Sequence, residues 1–596
     1  MAGKLKRKEI TYLDGVNTSV GDNISKAQEL AGCKNARSLT IGYLEKRQGY
    51  RRLGSNLTAT ANYGIKFFDD DNASSSGFYR ISTVGAATSI YYLNTSSIWT
   101  ALDGAGTGLT STNNSFFTIA NKKMFIVNGT DANRYVSSDG TTVVTSATTT
   151  GDLYSSPIAR KISYYKEKVY LADITIGSTR YQTTIMFSSK PVGIVSLVET
   201  DVASPIIGSV VSVTDTKYIR SNDTLDIYRG GSKVADITVS AKTESTITIG
   251  TITLAGGFTT LDAADEIWVD GTYTGTKVFR WADNPQSGVD VKQYDTFKFT
   301  GGGDYPITLF DTVGDVLLIG NKYSLGVWND SNLRMLDYGI GCCSERGYTK
   351  TKGLLFFVAY DGIYTCNGSS VSLLSAKIQK YFTGATKAGL EAASMGKKGN
   401  SILCHIGTVT LYNDDGSVSE TLTNVTIEYN IQQKNFFIHT GVSAAAFETY
   451  IGSSDPDRLI FADSSNYNLY EMFYGGFSDD QVTSNKEVPF QVDLGYLTMG
   501  SFFETVCYPL YAIVEIKAGS GIGCYVSIDD SPYKKIEGEL SKGCTKLIFN
   551  KIGQDQITLR GRTISLSLRE MSSRAVKIGR IAIVYEETTE EDNQRD

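Results

Sequence analysis

The stretch "IGYLEKRQGYRRLGS" at residues 41–55 sets Lys46, Arg47, Arg51 and Arg52 among Gly42, Gly49 and Gly54. Ammonium and guanidinium groups at this density would contact phosphates. As a strand, the segment would put Arg47, Gly49 and Arg51 on one face and Lys46, Gln48, Tyr50 and Arg52 on the other. A solvated charged face is the plainer reading.

Other chemistry is sparse. His405 ("ILCHIG") and His439 ("FFIHTG") are the two histidines, each in a strand-like run. Either would serve as a base or metal ligand only with a partner motif, and none accompanies them, so packed histidines are expected. Cys404 beside His405 is no dyad, because neighbouring strand residues point to opposite faces. The acid runs "FFDDDNASSSG" (67–77) and "YNDDGS" (412–417) suit a hard cation in ligand type but not in spacing. The second reads as a hairpin turn. HExxH, GxSxG, the P-loop and GxGxxG are absent. "TGGGDYP" (300–306) and "GAGTG" (104–108) lead into no helix that would receive a phosphate. No catalytic residue, cofactor or metal site is expected, and the chain is not read as an enzyme.

The elements that must position these residues are strands. Runs of Val, Ile, Tyr, Phe and Thr are cut by Gly, Asn, Asp and Ser, an all-β signal. Two short helical patterns interrupt it: "DNISKAQELAGC", with Gly32 as its stop, and "SLLSAKIQKYF" continuing through "KAGLEAASMG". An apolar run, a polar turn and a second β-rich run recur, for example at 89–104, 122–140, 315–330, 353–368 and 457–473. Such repeats predict propeller blades, since a small sheet cannot bury both faces alone.

The expected fold is therefore all-β: a degenerate β-propeller with an inserted small β-domain and a C-terminal β-sandwich. The boundaries read from the sequence are an N-terminal arm leading into the first blade (1–60), blades (61–194), the inserted domain (195–272), further blades (273–485), the sandwich (486–586) and an acidic tail (587–596). Within this frame the 41–55 stretch is an assembly element that docks the arm against its own propeller or a neighbour.

The 596 residues carry 57 Lys and Arg against 63 Asp and Glu, a net charge of −6. A dedicated nucleic-acid binder would be basic or show a clear basic face. No run of apolar residues approaches the length of a membrane span, and no apolar segment follows the basic start, so synthesis in a cytoplasm is expected. The eight cysteines form no CxxC pair and read as buried thiols.

"YLDGVNTSVGDNISKAQELAGCKNARSLTIGYLEKRQGYRRLG" resembles the opening of tail proteins from tailed bacteriophages. Gly15, Asn17, Asn35, Gly42, Leu44, Lys46, Arg47, Gly49 and Tyr50 occupy the places of that family's opening pattern, with Gln48 where the family often has Pro. "YGIGCCSERGYTKTKGLLFFVAYDGIYTCNG" is similar to the family's consecutive blades, with Asp361, Gly362 and Tyr364 in its hairpin turn. The end of the chain resembles the family's terminal sandwich.

The resemblance implies a virion structural protein of a short-tailed phage: the tail nozzle or hub, a hexameric ring around the DNA channel below portal and adaptor. It would retain the genome and conduct it at ejection. Its implied partners are further copies of itself, adaptor or connector proteins, tail fibres or spikes, DNA passing without sequence-specific contacts, and possible contact with the host envelope. Asn35, Lys46, Arg47, Gly49, Tyr50, Asp361, Gly362 and Tyr364 form the implied assembly signature. The alternative is a tail protein that binds or depolymerises host-surface glycans, for which the many tyrosines would supply stacking surfaces.

Overall fold

The computed structural model describes residues 4–589 apart from 11–14, 19–28, 40–41, 70–76, 85, 103–108, 111, 146–150, 155, 276, 283–294, 414, 451–456, 480–485, 500–504, 530, 550, 553–554 and 557–558. It is all-β, a degenerate β-propeller with an inserted β-domain and a C-terminal β-sandwich, and its residues group into two units, Thr58–Gly341 and Met1–Leu57 with Cys342–Asp596.

The 58–341 unit holds four sheets of four antiparallel strands each, over Ala59–Ala101, Phe116–Thr145, Ile158–Phe187 with Thr296–Lys298, and Leu309–Asp337. Their turns follow local chemistry. Val313 pairs with Val316 across Gly314-Asp315, and Gly314 takes the positive φ (54°) such a two-residue hairpin needs.

Burial explains why strands here are apolar on consecutive residues rather than alternately. Along Lys168–Ile176, Val169 and Leu171 join the core shared with the preceding sheet. Tyr170 and Ala172 join the core shared with the following sheet, beside Phe310, Leu317 and Ile319. The third sheet is thus covered on both faces by its neighbours, as a blade is.

The inserted domain departs from the third sheet and returns to it. Its sheet runs in the order Ile194–Leu197, Glu266–Val269, Thr224–Arg229, Ser232–Lys242, Thr246–Leu254 and Val210–Ser212, and a Val198–Val213 bridge links its first and last strands. Val211, Leu225, Ile227, Ile237, Ile249 and Ile267 fill its own core.

The other unit holds three further four-stranded sheets, over Tyr348–Leu373, Ser394–His439 and Ala444–Met472. Between the first two lie short helices at Gln379–Thr383 and Lys387–Glu391, where a helical pattern is expected. Thr386 caps the second by accepting from the Gly389 amide at 3.1 Å.

The N-terminal segment differs from the expected arm. Strands Lys4–Ile10, Leu30–Lys34, Ala36–Arg37 and Leu44–Lys46 belong to the ten-stranded terminal sheet, and Tyr50–Arg52 is the fourth strand of the Ala444–Met472 sheet. Gly32 and Cys33 lie within a strand rather than at a helix stop, because Leu30–Lys34 pairs with Phe490–Leu494. The remainder of that helical pattern, 22–28, lies outside the described residues. Strand Lys577–Thr589 runs into the expected acidic tail, because Glu586 and Glu587 pair with Leu5 and Lys4.

The terminal sheet turns on one long strand, Thr505–Ile528. Its first half pairs with Lys577–Thr589 and its second with Thr563–Glu570. Between the halves, Gly519 (φ 109°) and Gly521 (φ 73°) accept the register shifts that bend it.

Candidate functional site

The structure gathers five of the eight signature residues. Asn35 is fully buried at φ 57°, a left-handed position that asparagine tolerates, and it redirects the chain between two short strands. Its amide nitrogen donates to the Pro489 carbonyl at 2.8 Å, and its Oδ1 accepts from Arg47 Nε at 2.7 Å and the Thr440 amide at 3.0 Å.

Arg47 is fully buried and grips Asp479 with both terminal nitrogens, Nη1 to Oδ1 at 2.7 Å and Nη2 to Oδ2 at 2.6 Å. Nη1 also donates to the Gln48 carbonyl at 3.1 Å and Nη2 to the Thr440 carbonyl at 3.0 Å. With Asn35, all five N–H donors have an acceptor, the condition under which a buried guanidinium is tolerated.

Lys46 leaves the strand on the opposite side, as the period-2 reading requires, and donates to Glu570 Oε2 at 2.7 Å and to the Ser572 carbonyl. Burial lowers its pKa, with Glu570 acting against that. Neither Lys46 nor Arg47 exposes any of its side chain, so neither contacts an external phosphate in this fold.

Gly49 passes so close to the 478 peptide that an added Cβ would lie 1.7 Å from the Ser478 carbonyl oxygen. Its amide donates to the Gly476 carbonyl at 2.9 Å, and its carbonyl accepts from the Tyr474 amide at 3.0 Å. Tyr50 packs edge-on against Phe461 and Tyr470, with centroids 5.1 and 4.9 Å away. Arg51 and Arg52 are partly exposed, and Arg51 lies 3.4 Å over the Tyr474 ring.

Asp361, Gly362 and Tyr364 lie apart from this clasp in the Leu354–Ala359/Gly362–Cys366 hairpin. The Tyr364 hydroxyl donates to Asp361 Oδ2 at 2.7 Å. Gly362 leaves room for Ser375, whose Oγ would lie 2.4 Å from an added Cβ. These three residues hold a turn and a blade edge.

Arg37, Glu428 and Ser401, which the sequence did not single out, complete the clasp together with His439. Arg37 donates to Glu428 Oε1 at 2.8 Å and lies 3.8 Å over the Phe473 ring. Ser401 Oγ bonds the same Glu428 oxygen at 2.5 Å, and His439 Nε2 meets Glu428 Oε2 at 2.7 Å. Burial raises the Glu428 pKa, but Arg37, His439 and Ser401 together hold it down at about 2. Burial lowers the His439 pKa against the pull of Glu428. Asp479, Glu428 and Glu570 lie some hundreds of residues from their cations, a distance at which sequence gives no pairing signal.

His405 is also buried, with Nδ1 3.2 Å from Thr426 Oγ1, and burial pushes its pKa down to about 4. The folded state thus prefers neutral imidazole while the unfolded chain protonates near the ordinary 6.5. Stability is full above pH 6.5 and is lost as pH falls from 6.5 towards 4, by about 3 kcal/mol from this group. Thermal melts between those values should show the fall, and His405→Gln should flatten it in part; a slope unchanged in that variant would refute the assignment.

Among the described residues, no group of three or more His, Cys, Asp or Glu side chains could hold a metal ion, and no helix is long and apolar enough to cross a membrane. The acid run at 70–76 lies outside the described residues. Gly416, with φ 81°, closes the turn in "YNDDGS".

Successive four-stranded sheets, the third covered on both faces by its neighbours and interrupted by a spliced β-domain, define a β-propeller protein. No protein-family model and no curated protein matches the chain. Among solved structures it is similar to BamB from Moraxella catarrhalis, at 9% identity over 79% of this chain and 98% of that one, with a TM-score of 0.30. It is also similar to Sqt1 from Saccharomyces cerevisiae, at 7% identity over 72% of this chain and 99% of that one, with a TM-score of 0.31. Neither likeness bears on what this chain binds or does.

Proposed function

We propose that the chain is a structural protein of a phage tail, forming a ring around the DNA channel below portal and adaptor. In this reading it has no enzymatic role. It retains the genome and conducts it at ejection without sequence-specific contacts. The observation that supports this reading is the clasp: the residues carrying the resemblance to tail proteins are internal ties, not surface cations. Asn35, Lys46 and Arg47 bind the start of the chain to Thr440, Asp479, Pro489 and Glu570. A subunit that withstands DNA passage needs its ends fixed in this way. The acidic balance also suits a channel from which DNA slides rather than one that grips it.

Electron microscopy of the purified chain and of its particle tests the proposal. A six-fold ring on the tail axis is the expected result. A peripheral trimer, or a monomer that never joins the axis, would overturn it and favour the glycan-binding alternative.

A further inference from the structure

The inserted β-domain carries a second group of side chains that neither its core nor the clasp uses. Strand Thr224–Arg229 sends Leu225 and Ile227 into the core, so Asp226 and Tyr228 share the other face. The register sets Asp226 opposite both Asp236 and Trp268, and Tyr228 opposite Glu266. The loop after the last strand brings Tyr273 flat onto Tyr228, with centroids 3.8 Å apart and planes 9° apart. Trp268 stands edge-on to both, 4.9 Å from Tyr273 and 6.3 Å from Tyr228. All three rings are half-buried, and neither tyrosine hydroxyl has a hydrogen-bond partner among the described residues.

The polar groups around the rings are ordered. The Trp268 indole donates to Glu266 Oε2 at 3.0 Å. Lys233 lies 3.1 Å from Asp226 and 2.5 Å from Asp236, and the Gly271 amide donates to Asp226 Oδ2 at 3.1 Å. Asp226 and Asp236 face each other across the strand pair, and burial raises the Asp226 pKa.

This chemistry narrows the ligand. An apolar peptide or a lipid surface would strip water from Asp236 and Glu266 without replacing it. A cationic ligand would find both aspartates engaged by Lys233 and Glu266 engaged by the Trp268 indole. An acidic one would meet three carboxylates and a single ammonium. A neutral sugar satisfies every group, since its C–H face packs on aromatic rings and its hydroxyls donate to carboxylates and exchange hydrogen bonds with phenols.

We propose that this face of the inserted domain binds neutral carbohydrate, a pyranose ring resting on the Tyr228–Tyr273 aromatic surface with its hydroxyls on Glu266, Asp236 and the two phenols. The proposed role is binding alone. The proposal stands independently of the tail reading.

Calorimetric titration of the full-length chain with neutral hexose and N-acetylhexosamine oligosaccharides, and with a polyuronate of matched length, tests it. Saturable binding of at least one neutral oligosaccharide is expected, with none of the polyuronate. Tyr273→Ala should weaken binding about five- to tenfold. The Tyr228→Phe/Tyr273→Phe pair, which keeps the stack and removes only the hydroxyls, should weaken it as well. Absence of neutral binding up to about 10 mM, a weak limit for a real site, would overturn the proposal. So would equal binding of the polyuronate, or affinity unchanged in both the alanine and the phenylalanine variants.

Discussion

Replacing Arg47 by methionine is expected to lower the melting midpoint of the unit that holds the terminal sheet by on the order of 5–10 °C. The reason is the partner left behind. Asp479 is buried and receives two N–H donors from Arg47, at 2.7 and 2.6 Å. Removing them strands a carboxylate away from water, which typically costs about 3–5 kcal/mol. Asn35 and Thr440 lose their guanidinium donors in the same step. Adding Asp479→Asn to Arg47→Met should recover part of the loss, because it removes the stranded charge. Differential scanning calorimetry of the single and double variants measures this. A double variant less stable than the single would show that the pair is not what fixes the segment.

Gly49→Ala should be comparably damaging, by a cause that involves no charge. The methyl group would lie 1.7 Å from the Ser478 oxygen and 2.4 Å from its carbonyl carbon, both backbone atoms. Relief requires the 49 and 478 segments to separate, which breaks the Gly49–Gly476 and Tyr474–Gly49 hydrogen bonds. A cost of about 3 kcal/mol or more follows. The matched control is Gly256→Ala, where nothing lies within 4 Å of the added carbon. Limited proteolysis should cut the first fifty or so residues faster in Gly49→Ala and leave the control as resistant as wild type. Equal resistance in both would mean that the close approach is readily relieved.

The strands were readable because their turns and apolar runs are local: Gly314-Asp315 between two β-prone runs specifies a hairpin wherever it occurs. The same locality made the inserted domain visible, since its strands pair with one another. What remained hidden was pairing at long range. Nothing near Lys46 or Arg47 distinguishes a cation bound for Glu570 or Asp479 from one bound for solvent, and each reads as surface charge until the fold supplies its acid. The pattern at 22–33 misled for the same reason. Its last residues, Leu30 to Cys33, take their strand geometry from Phe490–Leu494, more than 450 residues away. The aromatic face of the inserted domain was likewise invisible, because Tyr228, Trp268 and Tyr273 meet only through strand register and a loop.

The pairing of the first strand with the last, Lys4 with Glu587 and Ile10 with Ile581, gives translation an order to obey. The opening fifty residues leave the ribosome long before their distant partners exist. At roughly 5–20 residues per second they wait on the order of 30–100 s. Their unneutralised lysines and arginines keep them in water during that wait and are discharged only when residues 428, 479 and 570 arrive. A polypeptide released before its final strand cannot seat its first one. Products terminated before residue 577 are expected to leave the Lys4–Ile10 strand without this partner and more open to proteolysis.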